Sequence, residues 1–295
     1  MTRTLLALAA VTVASSPVIA AKVRTGFQPC GAAAYGPYLY VANYSAASIS
    51  RIDPRTNTVI RTAGVGSGPC GIAAGAGFLW VENFNSGTVS RVNPRSLRGT
   101  RSVRVGARPW DVAFAFGAVW ATNFGDGTVS RIDPKTDKVT ATIRTGASPT
   151  CVRAGAGSIW VASQGTNDVY RIDPATNRVT PIDVGKRSEL CVDAHDDGVW
   201  VSNDTDGSVS RIDPATNTVV ATTKVGGAPS DGARGPDGLE WIPNRSDGTI
   251  SRIDPATNRV VDTFAVSGTP FVVRSAFGDI WVDDFRGNEE WRLHP

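Results

Sequence analysis

Along this chain short apolar runs and runs in which apolar and polar positions alternate, each of four to six residues, are separated by clusters of Gly, Pro, Asn and Asp. A period of two bounded by turn residues predicts short β-strands. Between Cys70 and Val105 the runs are Cys70 to Ala74, Phe78 to Asn83, Thr88 to Val92 and Arg101 to Val105, which makes four strands joined by tight turns. The unit recurs. Aromatic residues stand at Tyr40, Trp80, Trp120, Trp160, Trp200, Trp241 and Trp281, and eleven residues after each comes the Arg of an Arg-x-x-Pro turn, at Arg51, Arg91, Arg131, Arg171, Arg211, Arg252 and Arg292. The spacing is 40 residues, broken once by 41, and both series count to seven. A four-stranded sheet cannot bury both its faces alone, so a unit of this length needs a neighbour on each side. The pattern therefore predicts an all-β fold: a seven-bladed β-propeller of four-stranded antiparallel blades.

The connections follow from turn chemistry. Asp126-Gly127, Asp206-Gly207 and Asp247-Gly248 join second to third strands and are expected to form tight hairpins with positive φ at both central residues. The Asp204-x-Asp206-Gly207 run is read as such a hairpin and not as a calcium loop. Asp-Pro-Ala-Thr-Asn, at Asp173 to Asn177, Asp213 to Asn217 and Asp254 to Asn258, joins third to fourth strands, with Pro presetting the dihedral and Asp accepting from later amides. Because Arg131, Asp133 and their equivalents recur in most blades, they are read as turn and inter-blade ties. The last repeat stops at Pro295 with three strands. Arg24-Thr25-Gly26 matches Arg144-Thr145-Gly146 at the end of a fourth strand, so Lys22 to Gly26 is expected to complete the last blade and close the ring.

Residues 1–21 have a basic start at Arg3, an apolar stretch from Leu5 to Ala14 and small residues at Ala20 and Ala21, which reads as a signal peptide. The expected mature chain, 22–295, is one propeller domain with no later segment apolar enough to span a membrane, destined for secretion or the periplasm. The 30 Lys and Arg residues nearly balance 27 Asp and Glu, and most arginines sit at repeat-locked positions, which gives nucleic-acid binding no support.

Departures from blade sameness mark the candidate chemistry. After the proline that opens each first strand stand Cys30, Cys70, Trp110, Thr150, Leu190, Ser230 and Phe271. One residue on, Asp111 and Asp231 replace smaller residues, and two further on Arg153, Asp193 and Arg274 stand where other blades carry alanine. Arg153 and Asp193 occupy equivalent sites in adjacent blades and read as a structural ion pair, which leaves Asp111, Asp231 and Arg274 as the better ligand candidates. With Gln28, Arg108, Trp110, Phe271, Lys186 and Arg187 they outline a channel mouth of aromatic and mixed-charge character. Cys30 and Cys70, and Cys151 and Cys191, are each one repeat apart on neighbouring inner strands, where equivalent positions lie about 6 Å apart. Two inter-blade disulfides are the favoured reading, with free thiols or a four-cysteine zinc site as alternatives. The two histidines, His195 and His294, have no nucleophile or metal partner in register, so no histidine triad and no metal site is expected.

Tyr40-Val41-Ala42-Asn43, Ser50-Arg51-Ile52-Asp53 and Val-Gly turns such as Val65-Gly66 and Val105-Gly106 resemble the secreted propeller repeats named for a Tyr-Val-Thr-Asn motif, and the blades resemble streptogramin (virginiamycin B) lyase. The resemblance spans the mature chain and is one of scaffold. It implies a magnesium-dependent elimination that opens a cyclic depsipeptide, with histidines after the repeated proline and a glutamate just before one such proline. Here the histidine positions hold Cys30, Cys70, Trp110, Thr150, Leu190, Ser230 and Phe271, and the positions before the proline include Gln28, Gly68, Arg108, Ser148 and Ala228; Glu189 stands at a proline position itself. The lyase machinery is absent by this comparison. The expectation is a monomeric exported binding module, without cofactor, whose mouth holds a small molecule, peptide or envelope protein. The alternative is a lyase-like enzyme with catalytic groups relocated to Asp111, Asp231, Arg153 and Arg274 around Mg2+ or another divalent ion.

Overall fold

The computed structural model describes residues 17–98, 100–185 and 189–295, without the side chains of residues 189 and 190. The apolar stretch from Leu5 to Ala14, read as part of a signal peptide, and the candidates Lys186 and Arg187 lie outside the described residues. Strands are numbered β1 to β28 in chain order and form seven four-stranded antiparallel sheets. The second blade is typical, with β6 (Pro69–Gly75), β7 (Phe78–Asn83), β8 (Thr88–Val92) and β9 (Arg101–Arg104) in that order from the channel outward. The last blade orders β26 (Pro270–Ala276), β27 (Asp279–Asp284), β28 (Glu289–His294) and β1 (Val18–Arg24). The N-terminal strand thus closes the ring as its residues predict, pairing Lys22 with Trp291 and Arg24 with Glu289, and it begins earlier than expected, at Val18. No helix among the described residues is long and apolar enough to cross a membrane.

The repeat markers hold each blade to the next. Trp80, Trp120, Trp160, Trp241 and Trp281 are completely buried between sheets. The Arg directly across the strand pair from each marker stacks on it or beside it, as with Arg131 at 5.0 Å from the Trp120 ring and Arg171 at 5.0 Å from Trp160. The guanidinium then reaches the turn of the following blade. Arg171 donates to the Pro214 carbonyl at 2.6 Å and Asn217 Oδ1 at 2.8 Å, and Arg292 closes the circle on the Pro54 carbonyl and Asn57. Arg252 is the exception that the topology requires. The last blade has no turn between its third and fourth strands, so Arg252 pairs with Asp262 and Asp237 instead. Within each turn the Asp accepts from the amide two residues on, as at Ala175, Ala215 and Ala256.

One turn differs from its prediction. In the Asp-Gly hairpins only the glycine is left-handed, with φ of 65° at Gly127 and 59° at Gly207, while Asp126 and Asp206 are not. Asp126 and Gly127 both donate to the Asn123 carbonyl, so this is a longer loop closed by one left-handed residue.

Candidate functional site

First strands enter the ring at one face, called the mouth here, and leave it at the opposite end of the channel. Both cysteine pairs are disulfides, Cys30 to Cys70 and Cys151 to Cys191, with Cα separations of 4.6 and 4.9 Å, and they sit just inside the mouth. They leave a cavity of about 20 Å³, bounded also by Trp110, Asp111, Asp231, Phe271 and Arg274. Close approach of the inner strands demands Gly71, where a Cβ would fall 2.5 Å from Asp111 Oδ1.

The inner charges do not pair as their register suggests. Arg153 bonds Asp111 and Asp231, each at 2.5 Å, and Arg274 also bonds Asp231 at 2.5 Å. The expected Arg153–Asp193 ion pair is replaced by this four-residue network. Arg153, in the fourth blade, reaches sideways to Asp111 of the third blade and across the channel to Asp231 of the sixth. Asp231 is drawn inward because its strand leaves its own sheet and bridges to Val272 of the last blade, with Val273 donating to the Asp231 carbonyl at 2.8 Å. Burial opposes the charge on Arg153, yet Asp111, Asp231 and Asp193 raise its pKa above the ordinary value. Asp111, Asp231, Arg153 and Arg274 are therefore already mutually paired and do not stand free at the mouth.

Among the other predicted residues, Trp110 and Phe271 lie at the mouth and half-exposed, as expected. Gln28 and Arg108 occupy left-handed turn positions, φ 58° and 49°; Arg108 points into solvent, while Gln28 accepts from the Ser45 hydroxyl. Asp193 faces the far end, accepting from His195 at 2.8 Å and from the Arg234 amide at 3.1 Å. His195 thus has two carboxylates beside it, Asp193 and Glu240, and His294 bonds Asp279 at 2.5 Å.

A second set of mouth residues is not apparent from the inner strands. The residue following the last position of each second strand is Tyr44, Phe84, Phe124, Gln164, Asp204, Arg245 or Phe285, half-exposed in every blade. Together with Trp110 and Phe271 these divide the mouth into two arcs. Trp110 lies 5.6 Å from both Phe84 and Phe124, Tyr44 lies 6.4 Å from Phe84, and Phe271 packs 5.3 Å from Phe285. Opposite stand Gln164, Asp204 and Arg245, the last two ion-paired, with Arg245 also over the Phe271 ring. A groove of about 990 Å³ runs between them, lined by Trp110, Gln164, Asp204, Arg245, Phe271 and Phe285. The signal for this ring was available in the sequence as a varied, often aromatic position directly after a residue that is Asn in five of the seven blades.

Buried carboxylic acids form a further departure. Asp283 and Glu290 lie directly opposite each other on β27 and β28, both completely buried, and no other hydrogen-bond partner reaches any of their four carboxyl oxygens. Six blades carry Ile or Val where Glu290 stands. Burial pushes Asp283 up to about 6 and Glu290 well above the usual carboxylate range. In the unfolded chain both return to about 4. Between these limits the folded protein holds more protons, so the stability they contribute is complete below about pH 4 and is lost as pH rises, through about 6 for Asp283 and beyond the usual carboxylate range for Glu290. Restoring the blade pattern with Asp283→Ala and Glu290→Val is expected to stabilise the fold by about 2 kcal/mol at pH 8 and by less at pH 5. Melting curves of both proteins at the two pH values check this; an equal gain at both contradicts it.

The fold has many solved counterparts. Streptogramin B lyase superposes with a TM-score of 0.83 at 12% identity, covering 94% of this chain and 97% of that one. In fold, the chain is similar to that lyase. Virginiamycin B lyase from Staphylococcus aureus gives 0.82 at 13%, covering 95% and 100%, and hydrazine synthase from Kuenenia stuttgartiensis gives 0.82 at 17%, covering 92% and 97%. Identities this low establish shared architecture alone. Residues 65–189 match a family model described as a repeat of unknown function. No curated protein matches the chain in sequence.

Proposed function

We propose that this chain is an exported binding module whose channel mouth holds a small molecule or peptide carrying a ring or other flat apolar group together with hydrogen-bonding groups. The observation that carries the reading is the two-sided mouth: an aromatic arc centred on Trp110 facing a polar arc of Gln164, Asp204 and Arg245 across one groove. A concave apolar wall with a few fixed polar groups is the usual form of a ligand site. An apolar ring stacked on Trp110 gains contact area at little entropic cost, while the Asp204–Arg245 pair orients the rest. This reading needs no cofactor. The lyase-like alternative is disfavoured by the network below, where Arg153 lies between Asp111 and Asp231 and puts positive charge where a divalent ion would have to sit. One solved relative in fold is an inactive S. aureus virginiamycin B lyase with quinupristin, a ligand of that protein.

The test is a thermal-shift screen of ring-bearing peptides and small molecules, followed by titration of the hits. Trp110→Ala is expected to weaken binding at least tenfold, the loss of one well-packed aromatic contact, whereas Asp111→Ala leaves ligand contacts untouched. Hits indifferent to Trp110→Ala, or turnover of a cyclic ester by the purified protein, would sink the binding-module reading.

A further inference from the structure

Three further departures from the repeat come together at the other end of the channel. Asp193 and His195 lie two residues apart on β18 (Glu189–His195), on the same face, and Glu240 opens β23 (Glu240–Asn244) in the next blade. Asp193 stands where four blades carry alanine, and Glu240 where the other six carry Leu, Val or Ile. Although 47 residues separate Asp193 from Glu240 in sequence, donor atoms of all three lie within 4.8 Å of one another.

We propose that Asp193, His195 and Glu240 form a binding site for a divalent transition-metal ion, zinc in the first instance. His195 Nε2 lies 2.8 Å from Asp193 Oδ2 and 3.6 Å from Glu240 Oε1. Imidazole and carboxylate ligands about 2.1 Å from a tetrahedral zinc ion are about 3.4 Å from one another, so the three donors need only small side-chain rotations to close on one ion. A second observation points to a ligand. Glu240 is completely buried, yet its Oε2 has no hydrogen-bond partner, an expensive state for an acidic oxygen inside a protein. Arg234 holds the other oxygen, Oε1, at 2.7 Å and is itself held by Asp197 at 3.0 Å. Such a contact orients a ligating carboxylate; Oε1 is the oxygen that faces His195, so a rotation of the Glu240 carboxyl group brings the unpartnered Oε2 to the ion. Charge agrees: Asp193, Glu240 and Asp197 confront one guanidinium, Arg234, whereas the Arg153, Arg274, Asp111 and Asp231 network nearby is balanced in itself. His195 is 29% exposed, which provides an entry path and room for a water as fourth ligand. Arg153 and Arg274 also act on Asp193 and favour a site of modest affinity.

Isothermal titration of the untagged, oxidised protein with zinc chloride tests the proposal after chelator treatment and desalting. One ion per chain is expected, with affinity reduced at least tenfold by His195→Gln and by Glu240→Gln, and unchanged by His294→Gln, which removes the other histidine. Melting curves establish that each variant is folded. Absence of one-to-one binding, or wild-type affinity in either His195→Gln or Glu240→Gln, overturns it.

Discussion

A chain starting at Phe27 is expected to melt more than 10 °C below one that retains β1. Six residues of that strand pair with β28, and Thr25 adds a bond from its amide to the Asn288 carbonyl. Val23, 3% exposed, packs with Leu39 and Trp281 across the junction between last and first blades, and Ile19 lies against Trp291 and Leu293. Burying these two side chains contributes about 3 kcal/mol, and a ladder of about five hydrogen bonds adds about 1 kcal/mol each. At about 2 °C or more per kcal/mol for a domain of this size, the loss exceeds 10 °C. The truncation also bares β28 as an open edge, so aggregation should accompany it. Val23→Asp is a point version, with a smaller drop in the same direction. A chain starting at Lys22 would lose the pairing of Val18 and Ile19 yet keep Lys22, Val23 and Arg24 in register, so its ring is expected to stay closed. Equal melting temperatures for the long and truncated chains would mean that the ring does not depend on this strand.

Loss of the disulfides should be nearly as costly. Each closes a loop of 40 residues, which in the chain-entropy account corresponds to about 4 kcal/mol. Replacing all four cysteines by alanine is expected to lower the melting temperature by more than 10 °C, with each pair contributing separately because they join different blades, first to second and fourth to fifth. Reductant should reproduce the effect in the wild-type chain and leave the cysteine-free protein unchanged. Four thiols alkylated without reductant, or a reductant-insensitive melt, would contradict it. The consequence reaches function as well, because Trp110 and Phe271 rest above this plug.

What the sequence disclosed was everything governed by register. Trp120 and Arg131 are eleven residues apart in every blade because they face each other across one hairpin, and that local rule revealed blade number, ring closure and the cysteine pairs together. Contacts across the channel obey no such rule. Arg153 bonds Asp231 two blades away, because an open ring lets a long side chain choose any partner facing the axis; Asp193 then turns to His195 and Arg234. The aromatic ring of Tyr44, Phe84, Phe124 and Phe285 is hidden in the sequence for a different reason. These residues follow a buried Asn or Asp at the end of a strand, where apolar character usually signals core, and only the geometry of the mouth shows them facing solvent. Glu240, Asp283 and Glu290 were legible as acids in aliphatic positions, but whether such an acid is neutral, paired or ligating depends on neighbours that the repeat does not name.

The central claim is that repetition builds the scaffold and that the mouth, where repetition fails, binds. It is tested most directly by profiling small molecules and peptides that remain with the protein when it is purified from its host, for the wild type and for a Phe84→Ala, Trp110→Ala double variant of equal thermal stability. The account predicts a ring-bearing compound retained by the wild type and lost from the double variant. Equal retention by both, or no retained or added ring-bearing compound binding the wild type at all, would contradict it.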